Sequence, residues 1–409
     1  MASAPPAKRV FSPLDEELAL LPGQLTPLLQ DHLAHLSTWM PFAHAARLLS
    51  RFSRVSVSES SAQRLTEAIG MAYEAVQLAE VERIEREWPA VPPGPEKLVL
   101  SVDGAFVPVV HGEWAEVKTL VVGEVSQPTL VDGQTVVPTH NHSYFSRVAE
   151  AELFQRLTFG ELYRRSVETA GHLAAISDGA EWIQGFVAFH CPEAVRILDF
   201  PHAAQRICQI GEAVLGVEHA GLAAWQARQL HQLKHAGPLE LLASLRTFAA
   251  AQLKVPLVAE NLAYLDKREA QMEYPTFQAQ GWPIGSGMVE SANKLVVEAR
   301  LKGAGMHWSR ASVNPLLALR NAVCNDRWDE AWQQSAAQIR RVGLVRREVE
   351  PKRLSTPLGA SPAPPASLPP ASSQVEAVEQ PKVAAKHPWR RTNYATKARM
   401  ALAPTHARK

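Results

Sequence analysis

Three carboxylates in this 409-residue chain occupy settings that solvation alone explains poorly. Asp103 interrupts the apolar run LVLSVDGAFVPVV. If the chain turns at His111-Gly112, Asp103 lies mid-strand on one face with Val99 and Ser101, where an acid is costly unless a cation neutralises it. Asp178 ends the short apolar run LAAIS and is followed by a helix start, AEWI; acids at such strand ends face the usual site crevice of an α/β sheet. Glu290 falls in the first turn of a predicted helix, after the glycine-punctuated approach WPIGSGM. Phosphodiester strand transfer by two Mg²⁺ (or Mn²⁺) ions requires a small set of hard oxygen ligands on rigid elements, and these three acids are of the right type. Spacing alone leaves the matter open, because any long chain contains Asp, Asp and Glu in that order. LVLSVDGAFVPVV can also be a hairpin, and Glu290 taken alone is explained by the positive end of its helix dipole. Asp132-Gly133, between short apolar segments, reads as a hairpin turn.

The elements that must position these acids follow from periodicity. Ser286 is the expected N-cap of a helix over Met288–Leu301 that ends at Gly303 and Gly305, with Val289, Ala292, Val296 and Ala299 on its apolar face. Lys294, one turn after Glu290, is placed for an i,i+4 ion pair or a phosphate contact. Arg300, Lys302, Arg310 and Arg320 cluster around GAGMHW as a basic face suited to phosphate, and Trp282 and Trp308 read as core or wall residues. Upstream, the Pro-rich stretch Val91–Pro95 marks a boundary where the period changes from helical to extended. Lys97–Val110 and Trp114–Val125 are expected strands, with a third beginning at Thr135–Val137. A helix over Glu150–Thr169, a strand over Leu173–Ser177, a helix over Glu181–His190 and a strand over Val195–Phe200 follow. This order predicts an α/β fold: a ribonuclease-H-like mixed sheet covered on both faces. The catalytic domain is expected over 96–335, with an all-helical insertion at about 203–281.

Residues 1–95 read as a helical region broken at Pro22, Pro27 and Pro41. Within it, Ala43–Phe52 and a helix capped by Ser58 resemble a helix-turn-helix, with Ser60, Ser61, Gln63 and Arg64 facing outward for DNA. Residues 336–385 combine a basic run with a Pro/Ala/Ser-rich linker expected to be disordered, and 386–409 form a tail with seven Lys/Arg and no Asp/Glu. The net charge of +1 conceals that asymmetry. Hydrophobic residues make up 46% of the chain, enough for a large core. Three cysteines without CxxC spacing argue against a disulfide framework or thiolate zinc site and suit a reducing cytoplasm. No apolar run has the length of a membrane span, so a soluble, cytoplasmic protein is expected. His140 and His142, lacking a third ligand nearby, read as surface residues.

The blocks SVDGAFVPV with EWAEVKTLVVGEV, AAISDGAEWI, RILDFPHAAQRI, and PIGSGMVESANKLVVEARLKGAGMHWS followed by LLALRNAVCND resemble bacterial insertion-sequence transposases of the ISKra group. These are relatives of the Mutator-like DDE transposases. The resemblance covers 97–330 well and the N-terminal part more loosely. It implies that Asp103, Asp178 and Glu290 are the catalytic acids binding two Mg²⁺ (or Mn²⁺) ions. It also matches Asp199 and His202 to an accessory Asp-x-x-His motif, in which His202 contacts scissile DNA, orients an acid or caps the next helix. Metal-dependent cleavage and joining of element ends would follow, with double-stranded DNA (terminal inverted repeats and target) as partner and a homodimer or higher oligomer on it, near the bacterial nucleoid. Two alternatives stand beside this: a transposase-derived DNA-binding protein or repressor, and a metal-free hydrolase using paired carboxylates on sugars.

Overall fold

The computed structural model describes residues 20–131 and 134–353, and these form one compact unit. The expected Asp132-Gly133 turn, the Pro-rich linker from Ser355 and the basic tail lie outside the described residues. Three helices come first: α1 (Pro27–Trp39), α2 (Phe42–Ser53) and α3 (Glu59–Glu87). Pro27 opens α1 rather than breaking it, since a proline at the first helical position forgoes an N–H that has no partner anyway. Ser58 caps α3 by accepting from the Ser61 N–H at 3.2 Å. This second helix of the expected helix-turn-helix is 29 residues long and belongs to the core. Its Ile69 and Tyr73 pack with Leu319 and Trp328 of α14 (Arg310–Cys324) and α15 (Trp328–Arg353).

After the Pro-rich boundary, β1 (Lys97–Pro108) and β2 (Trp114–Val125) pair antiparallel across a turn at His111-Gly112, so Asp103 is mid-strand and the hairpin alternative at Asp103-Gly104 falls. Both turn residues have positive φ, 66° at His111 and 75° at Gly112. β3 (Thr129–Val131) and β4 (Gln134–Val136) pair only with each other. The expected third strand at Thr135–Val137 is therefore corrected: the strand that joins the main sheet is β5 (Thr139–Arg147), antiparallel to β2. Its sequence, THNHSYFSR, lacks apolar alternation because it is an edge strand. The backbone groups along that edge are met by asparagines of α14 and its C-cap. Asn325 brackets Tyr144, accepting from its N–H at 2.8 Å and donating to its C=O at 2.9 Å. Asn321 does the same for Ser146, and Asn314 for Val148.

The expected helix over Glu150–Thr169 is two short helices, α4 (Ala151–Leu157) and α5 (Phe159–Arg164), ending in a 3₁₀ turn. β6 (His172–Ser177), α6 (Glu181–His190) and β7 (Val195–Leu198) follow. The five-stranded sheet runs β5-β2-β1-β6-β7, with β1, β6 and β7 mutually parallel. One face of β1 presents Leu98, Leu100 and Val102 to Phe154, Ile183 and Phe186. The other begins with Val99, under the helices that follow β7, and ends with Ala105, Val107 and Val109, packed on Val296, Val297 and Trp308. Ser101 and Asp103 lie on this second face, between the two apolar clusters. Five helices separate β7 from the helix of Glu290: α7 (Phe200–Leu215), α8 (Leu222–Ala236), α9 (Pro238–Phe248), α10 (Pro256–Lys267) and α11 (Tyr274–Ala279). Their core, Ile207, Leu233, Leu241 and Leu265, is continuous with Val99 and Ile176 of the sheet. Among the described residues no helix is long and apolar enough to cross a membrane.

Candidate active site

Strand register brings the acids to one edge. Ser101 of β1 is level with Ile176 of β6, so Asp103 and Asp178 each lie two residues beyond the same rung of a parallel pair. Ser177 is level with Leu198 of β7, so Asp199 follows at the same height as Asp178. Parallel strands lie about 4.8 Å apart, so three neighbouring strands offer carboxylates at one level, Asp103 from the middle of β1 and Asp178 and Asp199 from just past the ends of β6 and β7. Asp103 accepts from the Gly104 N–H at 2.7 Å through Oδ1 and from Asn293 Nδ2 at 2.9 Å through Oδ2. Burial pushes the Asp103 carboxyl up to about 6; the negative charges of Asp178 and Glu290 push the same way, against the Gly104 N–H and His202. Asp178, Glu290 and His202 are thus close enough to act on Asp103 through the field.

Glu290 lies on α12 (Gly287–Ala292), which continues without interruption into a π turn, Asn293–Glu298, and α13 (Ala299–Leu301). Val289 and Ala292 seat α12 on Val121 of β2, leaving Glu290 exposed at the rim. The π turn, a feature common at functional sites, changes the expected face. Val296, Val297, Arg300 and Leu301 turn inward, and Ala299 is exposed. Ser286 does not cap the helix with its side chain as expected; its backbone N–H instead donates to Asp199 Oδ1 at 2.6 Å. Asp199 is fully buried, and its Oδ2 accepts from His202 Nδ1 at 2.6 Å. That bond raises the His202 pKa, with burial opposing and Asp199, Asp178 and Asp103 adding their charges. With Nδ1 committed to Asp199, the other ring nitrogen is left for a ligand or proton.

The helices after β7 also hold Asp178. The hydroxyl of Tyr264, on α10, donates to the Asp178 carbonyl, and buried Arg268 donates to the Gly179 carbonyl through Nε at 3.0 Å and Nη2 at 2.5 Å. Tyr264 lies between two guanidinium groups, Arg268 at 3.9 Å and Arg206 at 4.5 Å from its ring centre. Neither Tyr264 nor Arg268 was signalled by the sequence, because each is more than 80 residues from the aspartate turn it holds. Asn293 had a local signal, three residues after Glu290 on a helix. It is 6% exposed; Nδ2 is held by Asp103, and Oδ1 has no hydrogen-bond partner, an arrangement that costs about 1–3 kcal/mol.

The residues expected to touch DNA separate into two groups. Arg64, Lys294 and Arg310 are exposed; Lys302 pairs with Glu298 at 2.7 Å, and Gln63 bonds Glu67 at 2.9 Å. No ion pair joins Lys294 to Glu290 among the described residues. Arg300 is corrected: at 2% exposure it is a core residue, donating to the Ser37 carbonyl at 2.8 Å and lying over Phe42 and Trp308. Arg320 is likewise buried, over Trp39. A basic cluster in sequence cannot distinguish a guanidinium on the surface from one stacked among aromatic rings. Trp282 and Trp308 are buried.

Among the described residues no three His, Cys, Asp or Glu side chains form a ready-made cation cage. The set Asp103, Asp178 and Glu290 nonetheless has the hard oxygen donors that a divalent cation takes. The buried Asp103 carboxyl, with the charges of Asp178 and Glu290 acting on it, and the orphaned oxygen of Asn293 both fit such a group. Compared with known proteins, the chain matches no family model and no curated relative.

Proposed function

We propose that the protein is a DDE transposase of a bacterial insertion sequence, cleaving element ends and joining them to target DNA with a divalent metal. The observation that carries this reading is the placement of Asp103 and Asp178 two residues past one rung of adjacent parallel strands, with Glu290 acting on Asp103 from the helix beyond. The strand order, three antiparallel strands followed by two parallel ones, supports a ribonuclease-H-like core, and the helices between β7 and α12 correspond to an insertion.

In this reading Asp103, Asp178 and Glu290 hold Mg²⁺ or Mn²⁺. When bound, the metal makes water or a DNA 3′-hydroxyl a better nucleophile and offsets charge developing at the phosphate. The rest falls to side chains. Asp199 fixes the His202 ring, and protonated His202 presents positive charge and a proton to the scissile region. Tyr264 and Arg268 fix the backbone that carries Asp178. Arg310, Lys294 and Arg64 offer exposed cations to the DNA backbone. A homodimer or larger assembly would bring two element ends together.

The test uses DNA bearing the flanking ends of the protein's own gene. Wild-type protein nicks these ends in Mg²⁺; Asp103→Ala and Glu290→Ala abolish nicking and retain binding in a mobility-shift assay. Wild-type-level nicking by either variant would rule out the acid set. Binding without nicking by the wild type itself would favour a transposase-derived repressor.

A further inference from the structure

We infer that Asn293 is a fourth member of the cation site, its side-chain Oδ1 serving as the neutral oxygen ligand beside Asp103. This deepens the proposed function and rests on its acid set.

Its amide orientation is constrained. A carboxylate only accepts, so the group facing Asp103 Oδ2 at 2.9 Å must be the Nδ2 donor, and the carbonyl oxygen points to the other side of the amide. That oxygen is the one left without a partner in a side chain more than nine-tenths buried. Buried amide oxygens nearly always find a donor, and one left without a partner on a side chain that is itself bonded to Asp103 is the disposition of a ligand. Asn carbonyls are hard donors of the type that Mg²⁺ and Mn²⁺ accept, and they add a ligand without adding charge. In a site already carrying three carboxylates, a neutral donor completes coordination without further repulsion in the free protein.

The chain places Asn293 for this. It opens the π turn three residues after Glu290, and its bond to Asp103 seats it against β1 beneath the exposed Glu290. The carbonyls of that turn are gripped from behind. Arg320 Nε donates to Val296 O at 3.1 Å, and Nη2 donates to Leu295 O. Asn293 therefore stands on rigid backbone rather than on a loop, as ligand positions require.

The test is titration of Mn²⁺ into the full-length protein without DNA, reading free Mn²⁺ by electron paramagnetic resonance, alongside melting temperature with and without Mn²⁺. Wild type binds, and Asp103→Asn does not; absence of wild-type binding, or its full retention in Asp103→Asn, would overturn the acid set itself. Given that baseline, Asn293→Ala is expected to bind about 10-fold more weakly or worse, with its Mn²⁺-induced melting shift reduced. Asn293→Asp, which restores an oxygen, is expected to recover binding to within about 3-fold of wild type or better. Unchanged affinity in Asn293→Ala overturns the proposal. So does Asn293→Asp binding no better than the alanine variant, or, should the alanine variant fail to fold, losing Mn²⁺ binding by itself.

Discussion

Asp199 accepts the Ser286 N–H at 2.6 Å, so a fully buried carboxylate at the end of β7 anchors the chain just before the helix of Glu290. Its other oxygen holds His202 at 2.6 Å, and one side chain thereby ties three parts of the site together. Asp199→Asn keeps an acceptor for Ser286 but loses the charged partner of His202. The first expectation is a fall in the His202 pKa, read by NMR. Because the folded pKa is raised, the pair contributes stability that is fully present below the unfolded value of 6.5 and is lost as pH rises through the folded one. Wild type should therefore exceed Asp199→Asn most clearly near about pH 6, the gap narrowing in alkali. A gap that widens with pH would refute the assignment.

Asp103 moves stability in the same direction with pH, as a penalty that builds rather than a contribution that is lost. Its pKa is raised from 3.8 to about 6, so the folded state binds the extra proton, and stability falls as pH climbs through that interval. The cost is absent below the unfolded value and complete above the folded one. Asp103→Asn should consequently be more stable than wild type above about pH 7 without divalent metal, by about 1–2 kcal/mol after discounting for residual solvent, and melt correspondingly higher, and should lose that advantage near about pH 4. Adding Mg²⁺ is expected to raise the wild-type melting temperature and leave the variant unmoved. Calorimetry at the two pH values with chelator and with Mg²⁺ checks both halves.

Legibility in the sequence tracked how local the determining contacts are. β1, β2, β6 and α6 could be read because apolar periodicity and the Pro-rich boundary lie within the segments themselves. β5 could not, since its pairing groups are answered by Asn314, Asn321 and Asn325 at least 166 residues later. The π turn is invisible in VESANKLVVEARL, which has ordinary helical propensity; it is accompanied by Arg320, whose partners lie 24 and 25 residues back. Mid-helix Gly70 looks like a defect, yet a Cβ there would strike the Pro315 backbone where α3 meets α14. The acids were conspicuous singly. Their shared rung depends on the register between β1 and β6, which composition and periodicity do not encode.

Arg320 and Arg300, both buried and cationic, should differ sharply on replacement by methionine. Arg320 donates to three carbonyls, Thr38 at 3.1 Å, Val296 at 3.1 Å and Leu295, and its loss strands one near the end of α1 and two in the turn that follows Glu290. Arg300 makes one such bond and leaves Nη2 unpartnered; burial, with the charge of Arg320 adding, lowers its pKa to about 10. Removing a guanidinium so poorly compensated also relieves Arg320. Urea unfolding should show Arg320→Met destabilised by about 3–5 kcal/mol and Arg300→Met within about 1 kcal/mol of wild type. Equal losses would contradict this account of the pair. DNA affinity should separate Arg300 from the surface cations as well: its replacement leaves the salt dependence of binding unchanged, whereas Arg310→Ala lowers the slope by about one.

Gly179 links the helices after β7 to Asp178. Its φ of +79° belongs to the left-handed region, and a Cβ would sit 2.5 Å from Arg268 Nε and 2.7 Å from the Tyr264 hydroxyl. Gly179→Ala therefore strains the backbone and pushes away the two side chains that hold the Asp178 and Gly179 carbonyls. Strain and overpacking together should cost about 2–4 kcal/mol. Tyr264→Phe removes only the hydroxyl, at about 1 kcal/mol, without touching the glycine. If these contacts serve to place Asp178, both variants should weaken Mn²⁺ binding, Gly179→Ala more than Tyr264→Phe, at temperatures where each remains folded by circular dichroism. Full Mn²⁺ affinity in a folded, destabilised Gly179→Ala would mean that Tyr264 and Arg268 serve stability alone, and that Asp178 is positioned by its strand.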